Sequence, residues 1–321
     1  ASRGLGDVYK RQVYENGKPN WVDTETLVGV PYDMPIIGFG GKTVNYLRLF
    51  SARSSMELDI NVFNEGGYFK AVEKKIRSET ISKVLYPSDN VEQGKELRLL
   101  QQYFFTSCAV SDIMRRFLES NSDLRQLPEK VAIQLNDTHP TLAIAELMRV
   151  LVDIHGMDWD TAWDITTKVM GYTNHTLLPE ALERWSVRLL EKVVPRHMTI
   201  IYEINARLMD KVSKQYPNDN GKLSRMSIIE ETGEKKVRMG NLAIVGSHSV
   251  NGVAAIHSEL VKKNLAPDFY EMWPERFNNK TNGVTPRRWL LSANPELAHA
   301  IGERIGVSWI THLEDLKKLE K

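Results

Sequence analysis

Hydrophobic and polar positions change period along this chain. β-prone runs flank Asn16-Gly17, a tight-turn dipeptide, so Val13 to Ile37 predicts a β ribbon. Val44 to Ala52 (VNYLRLFSA) predicts a further strand. Apolar residues at helical spacing predict a helix over Tyr68 to Leu85, stopped by Pro87. Gly94 to Ser120 predicts a long helix with Leu97, Leu100, Phe104, Cys108 and Ile113 on its apolar side. From Val131 the pattern becomes strand, polar loop, helix. Val131 to Leu135 predicts a buried strand and Thr141 to His155 an amphipathic helix. A helix over Asp160 to Met170 precedes a strand at Tyr172. Leu242-Ala243-Ile244-Val245 predicts a third strand, with a helix over Val250 to Asn264 after it. Pro286, behind Thr285 as N-cap, predicts one more helix start. Strands alternating with helices predict an α/β fold with a parallel sheet, preceded by a β-ribbon region.

In open α/β sheets, ligands sit beyond the carboxyl ends of the strands. Four polar loops fall near such places: Asn136 to Pro140 (NDTHP), Thr173 to Thr176 (TNHT), Ser247 to Gly252 (SHSVNG) and Asn278 to Thr285 (NNKTNGVT). Their amides, hydroxyls and imidazoles suit a polyhydroxylated ligand, because each sugar hydroxyl both donates and accepts. The same groups also cap helices and close turns, and either reading fits a single loop. Trp289, after Arg287-Arg288, is either a core anchor or a ring packed on a cofactor.

Composition removes several classes. Lys plus Arg number 42 against 41 Asp plus Glu, a net charge of +1, which argues against a polybasic nucleic-acid or membrane binder. Cys108 is the one cysteine, so no intramolecular disulfide or cysteine zinc site is possible, and burial in the core is expected of it. No apolar run is long enough to span a membrane and no secretory leader is visible, which predicts a cytoplasmic protein. His139, His175, His248 and His257 with Asp137 could supply metal ligands, but no pair has the i, i+4 spacing of a zinc helix, so no metal is expected. His155, His197, His299 and His312 read as surface or capping groups. Ser2 to Gln12 (SRGLGDVYKRQ) back-translates in frame to a transposase adapter used in library preparation, so residues 1–12 read as non-native.

The long motifs VAIQLNDTHPTLAIAELMRVLVD, YTNHTLLPEALERW, PRHMTIIYEIN, GSHSVNGVAAIHSEL and NKTNGVTPRRWL resemble, in the same order, the α-glucan phosphorylases of the glycogen, starch and maltodextrin type. The resemblance implies part of the N-terminal Rossmann-like domain of a B-type glycosyltransferase fold. Residues 13–130 would be its β-rich and helical part, including a tower-like helix at 68–85. Residues 131–321 would be its parallel α/β part, reaching the interdomain edge, with the C-terminal cofactor domain absent. It implies phosphorolysis of the non-reducing end of an α-1,4-glucan by inorganic phosphate to glucose 1-phosphate, with pyridoxal 5′-phosphate held on a lysine beyond this chain. By motif, His175 resembles the residue beside the reacting glucose and Asn282 a second group on that glucose. Asp137 and His139 resemble residues that line and order the approach. Asp89 and Asn90 resemble the gate loop, and Trp289 resembles a residue near the cofactor. A cytoplasmic homodimer is implied for the complete enzyme, with no nucleic-acid or membrane partner, and inactivity for this chain alone. The alternatives are a nucleotide-sugar glycosyltransferase of the same fold and a non-catalytic glucan-binding module.

Overall fold

The computed structural model describes residues 11–15, 18–22, 26–55, 60–85, 87–88 and 90–320. Strands β1 (Arg11–Glu15) and β2 (Lys18–Val22) pair antiparallel, as the ribbon pattern predicts; the Asn16-Gly17 turn lies outside the described residues. Strands β3 (Leu27–Ile37) and β4 (Val44–Ser54) form a second antiparallel pair, in register from Leu27 opposite Ser54 to Ile37 opposite Val44. The inner end of this pair, Leu27 and Ala52, packs with Phe104 and Cys108 of the Glu92–Leu118 helix. Gly29 is needed there, since a Cβ at that position would lie 2.4 Å from Cys108 Sγ. Cys108 is fully buried, as expected, and burial pushes its thiol up to about 12.

The Tyr68–Thr80 helix is shorter than the pattern suggests. It ends five residues before Leu85, because residues 81–85 continue only as turns and bends. A short helix at Ile60–Asn64, for which the pattern gives no signal, precedes it.

Strands β5 (Ile133–Asn136), β6 (Met170–Thr173), β10 (Ser249–Gly252) and β11 (Phe277–Asn279) form a four-stranded sheet in the order β5-β6-β10-β11, every pair parallel. Between β6 and β10 the chain adds a small antiparallel sheet of β7 (Arg184–Ser186), β8 (Ile229–Glu230) and β9 (Lys236–Arg238). The Leu142–Arg149, Trp159–Val169 and Pro195–Gln215 helices close the main core with Leu135, Leu142, Leu147, Tyr172 and Val250.

The third strand lies elsewhere than the pattern predicts. Leu242-Ala243-Ile244-Val245 is the end of a helix, Met239–Val245, and all four side chains are buried. A short run buried all round has no period to separate strand from helix. Packing decides it: a Cβ on Gly246 would meet Ile144 Cδ1 at 2.4 Å, so the helix end lies hard against the Leu142–Arg149 helix. The Arg276 guanidinium donates to the carbonyls of Ile244, Val245 and Ser247, closing that end. The strand is the polar run Ser249–Gly252, and the following helix starts at Ala255 instead of Val250.

His197 is also placed differently: it is fully buried. Its Nε2 lies 2.6 Å from Oε2 of Glu146, which has no exposed surface. Glu146 also accepts from Arg149 Nε at 2.8 Å and Nη2 at 2.9 Å, and from Ser107 Oγ at 3.0 Å. Burial raises the Glu146 carboxyl, but the Arg149 charge and the Arg149 and His197 hydrogen bonds outweigh it and hold the group far below the carboxylate range. A carboxyl depressed on folding contributes stability that is present above the unfolded value, about pH 4.3, and is lost as pH falls toward the folded value. Glu146→Ala leaves Arg149 buried without its partner; urea unfolding should show a loss of about 3–5 kcal/mol at pH 7. That loss should shrink on acidification.

Candidate functional site

The parallel sheet brings three of the four polar loops to one edge. At the carboxyl end of β5, Asp137 sits at φ 64°, a left-handed conformation that Asp tolerates better than most residues. Its N–H donates to Thr173 O (2.9 Å) and its Oδ1 accepts the Thr138 N–H (2.7 Å), so backbone and side chain both close the turn. Thr138 is fully buried and donates from Oγ1 to Glu183 Oε2 (3.0 Å), while Glu183 Oε1 accepts from Gln102 Nε2 (2.6 Å). The carboxylate thus ties the NDTHP loop to the Glu92–Leu118 helix. His139 and Pro140 border a cavity of about 180 Å³ with Leu85, Gln102 and Phe105.

At the carboxyl end of β6, Asn174 is fully buried and His175 exposed. Asn174 N–H donates to Asn251 O (2.9 Å) and its Nδ2 to Tyr172 Oη (3.1 Å); burial raises the Tyr172 phenol. A polar chain crosses the sheet, from Gln134 Nε2 to Thr173 Oγ1 (2.9 Å), from Thr173 Oγ1 to Asn251 Oδ1 (2.9 Å), and from Asn251 Nδ2 to Gly252 O (2.9 Å). Past β10 and β11, Lys280 N–H donates to Gly252 O (3.1 Å) and Asn282 N–H to Val253 O (3.0 Å), which fastens the exposed Asn282 beside the β10 edge.

Asp137, His139, His175 and Asn282 therefore share one edge of the sheet. The Ser247 to Gly252 segment is the exception among the four loops. It leads into β10 instead of leaving it, and His248 N–H donates to Met170 O at the opposite, amino end. Asn90 is exposed in the segment before the Glu92–Leu118 helix; Asp89 lies outside the described residues. Trp289 is 62% exposed on the Arg287–Ser292 helical turn, so it is not the core anchor that one reading allowed. No sequence signal marks the polar chain through Thr173 and Asn251 or the Glu183 bridge. These groups are far apart in the chain and share no motif. Among the described residues no group of three or more His, Cys, Asp and Glu is placed to hold a metal ion. No helix among them is long and apolar enough to cross a membrane.

A family model for carbohydrate phosphorylases matches residues 4–321. The chain belongs to the carbohydrate phosphorylase family. It is 54% identical to a glycogen phosphorylase of Synechocystis over 95% of its own length, and 53% identical to the human muscle form over 93%. The mouse muscle form is 51% identical over 97%. The chain spans only 36–38% of these relatives' length. The phosphorylase match begins inside the Ser2 to Gln12 segment that reads as adapter sequence. Within this mixed α/β phosphorylase segment, Asp137 and Asn218 are the non-glycine residues with positive φ among the described residues, and Asp137 is the one at the candidate site. Asp137→Val should lower stability by about 1–3 kcal/mol in thermal unfolding, because a β-branched residue fits φ 64° poorly. Asp137→Asn, which tolerates that conformation and keeps an acceptor for Thr138 N–H, should stay near wild type.

Proposed function

We propose that this chain is an internal part of an α-glucan phosphorylase, which transfers the terminal glucosyl unit of an α-1,4-glucan to inorganic phosphate. One observation carries the reading: His175 and Asn282, the two residues assigned by motif to the reacting glucose, are both exposed at the carboxyl edge of a single parallel sheet. The relatives that are 51–54% identical are named glycogen phosphorylases. In this reading the sheet belongs to the N-terminal Rossmann-like domain of a B-type glycosyltransferase fold. Residues 13–130 and 131–321 are its two parts. The complete enzyme is a cytoplasmic homodimer acting on glycogen, starch or maltodextrin.

His175 supplies the imidazole and main-chain carbonyl beside the sugar. An oriented carbonyl dipole stabilises positive charge as it develops on the ring during transfer. Asn282 orients the same sugar from the neighbouring loop, Asp137 and His139 border the approach, and Asp89 with Asn90 form the gate. An exposed Trp289 between Arg288 and the partly exposed Leu290 fits a flat ring partner, so it is the residue of this chain that would pack near pyridoxal 5′-phosphate. The chemistry such a cofactor supplies when bound is proton exchange through its phosphate. The Schiff-base lysine is assigned to sequence beyond Lys321.

The test is glucose 1-phosphate formation from maltodextrin and phosphate. The 321-residue chain with added pyridoxal phosphate should show none, and the chain extended through its downstream coding sequence should be active. In the extended enzyme His175→Ala keeps the main-chain carbonyl and removes only the imidazole contact to the sugar, so it should lower kcat/KM by about tenfold or more, the scale of one lost hydrogen bond. An extended chain that turns over a nucleotide sugar, or binds maltodextrin without phosphorolysis, would defeat the reading.

A further inference from the structure

We propose that His257 is the positioning residue of this edge, joining the loop that carries Asn282 to the turn that carries His175; the proposal rests on the phosphorylase reading above. β10 lies between β6 and β11, so the residues that follow Gly252 stand between the two loops assigned to the sugar. His257 Nδ1 accepts the N–H of Val253 at 3.1 Å, and the carbonyl of that same Val253 accepts the Asn282 N–H at 3.0 Å. One residue on, Ser258 Oγ reaches Asn279 Oδ1 at 2.8 Å. The start of the Ala255–Leu260 helix is thereby laced to the 279–282 loop.

Gly252 makes this approach possible. A Cβ there would fall 2.6 Å from His257 Nδ1 and 2.8 Å from Ser258 Cα, distances that no side chain could adopt without moving the helix. Because Nδ1 accepts, the proton of the neutral ring belongs on Nε2. Burial, reinforced by the charge of nearby His175, pulls the His257 pKa below its ordinary value and favours that neutral form. His257 Nε2 is itself buried and has no hydrogen-bond partner among the described residues. Asn174 Oδ1, on the turn that leads to His175, is a second buried atom without one.

A buried donor on the helix that follows β10 and a buried acceptor on the residue before His175 are polar groups left to be satisfied at this end of the sheet. His257 accordingly does two separable things. Nδ1 anchors the backbone under Asn282. The Nε2–H is the donor held for His175, and it orients that residue when a sugar closes on the turn. His257 touches no reacting atom in this scheme and acts through its two neighbours.

Two substitutions separate the roles. His257→Asn keeps an acceptor where Nδ1 was and removes the Nε2–H. His257→Gln carries an amide out toward the Nε2 position and leaves the Val253 N–H without its acceptor. With the 321-residue chain labelled on histidine nitrogen, long-range NMR correlations at pH 7 should show His257 neutral and protonated on Nε2. The amides of Val253 and Asn282 should stay protected from exchange in His257→Asn and lose protection tenfold or more in His257→Gln. With maltoheptaose as the probe, wild type should shift the His175 resonances. His257→Asn should bind at least tenfold more weakly, with those shifts lost. A ring protonated on Nδ1, or wild-type binding and wild-type His175 shifts in His257→Asn, would overturn the proposal. Absence of maltoheptaose binding by the wild-type chain would overturn the role toward His175, while the tautomer and the exchange rates decide the anchoring role and glucose 1-phosphate formation by the extended chain tests the phosphorylase reading separately.

Discussion

The fold turns on one ionised carboxylate placed where no water reaches. Glu146, on the Leu142–Arg149 helix, joins that helix to the Glu92–Leu118 helix through Ser107 and to the Pro195–Gln215 helix through His197, with Arg149 one turn along as its counter-ion. An ion taken out of water is tolerated only when its remaining lone pairs are occupied, and here four donors surround it. The Tyr103 ring meets His197 nearly edge-on, with centroids 5.1 Å apart, so the polar cluster is enclosed by the apolar core and not by solvent. The NDTHP loop leads straight into the helix that carries Glu146. The stability of this cluster therefore sets where the candidate site begins.

From that core the site is assembled by backbone geometry more than by side-chain contact. Adjacent parallel strands end at the same level, so loops distant in sequence share one edge. Each is then fixed by main-chain hydrogen bonds to its neighbour: Asp137 to Thr173, Asn174 to Asn251, Asn282 to Val253. The exposed side chains, His175 and Asn282 above all, are left free to meet a ligand while their backbones are held. That division suits a polyhydroxylated substrate, whose orientation depends on several weak contacts made from rigid supports.

The sequence by itself determined the class of fold, the first antiparallel ribbon, the strand at Val44, the long helix at Glu92–Leu118 and the loops that hold Asp137, His139, His175 and Asn282, because these rest on local periodicity and on side chains with characteristic chemistry. The family was also legible, in motifs too long to arise by composition. Only the tertiary structure decided the rest. Leu242 to Val245 became helix because a run buried on all sides has no period, and its contact with Ile144 selects the conformation. Ser249–Gly252 became a central strand despite its polar residues, because Asn251 finds Thr173 and Gly252 as partners inside the sheet. His197 is buried because Glu146, 51 residues away in sequence, makes burial tolerable. Trp289 faces outward for the opposite reason: nothing in its own helical turn forces it inside. For Leu242 to Val245, Asn251 and His197 a short stretch was compatible with two environments, and the partner that chose between them came from a distant part of the chain.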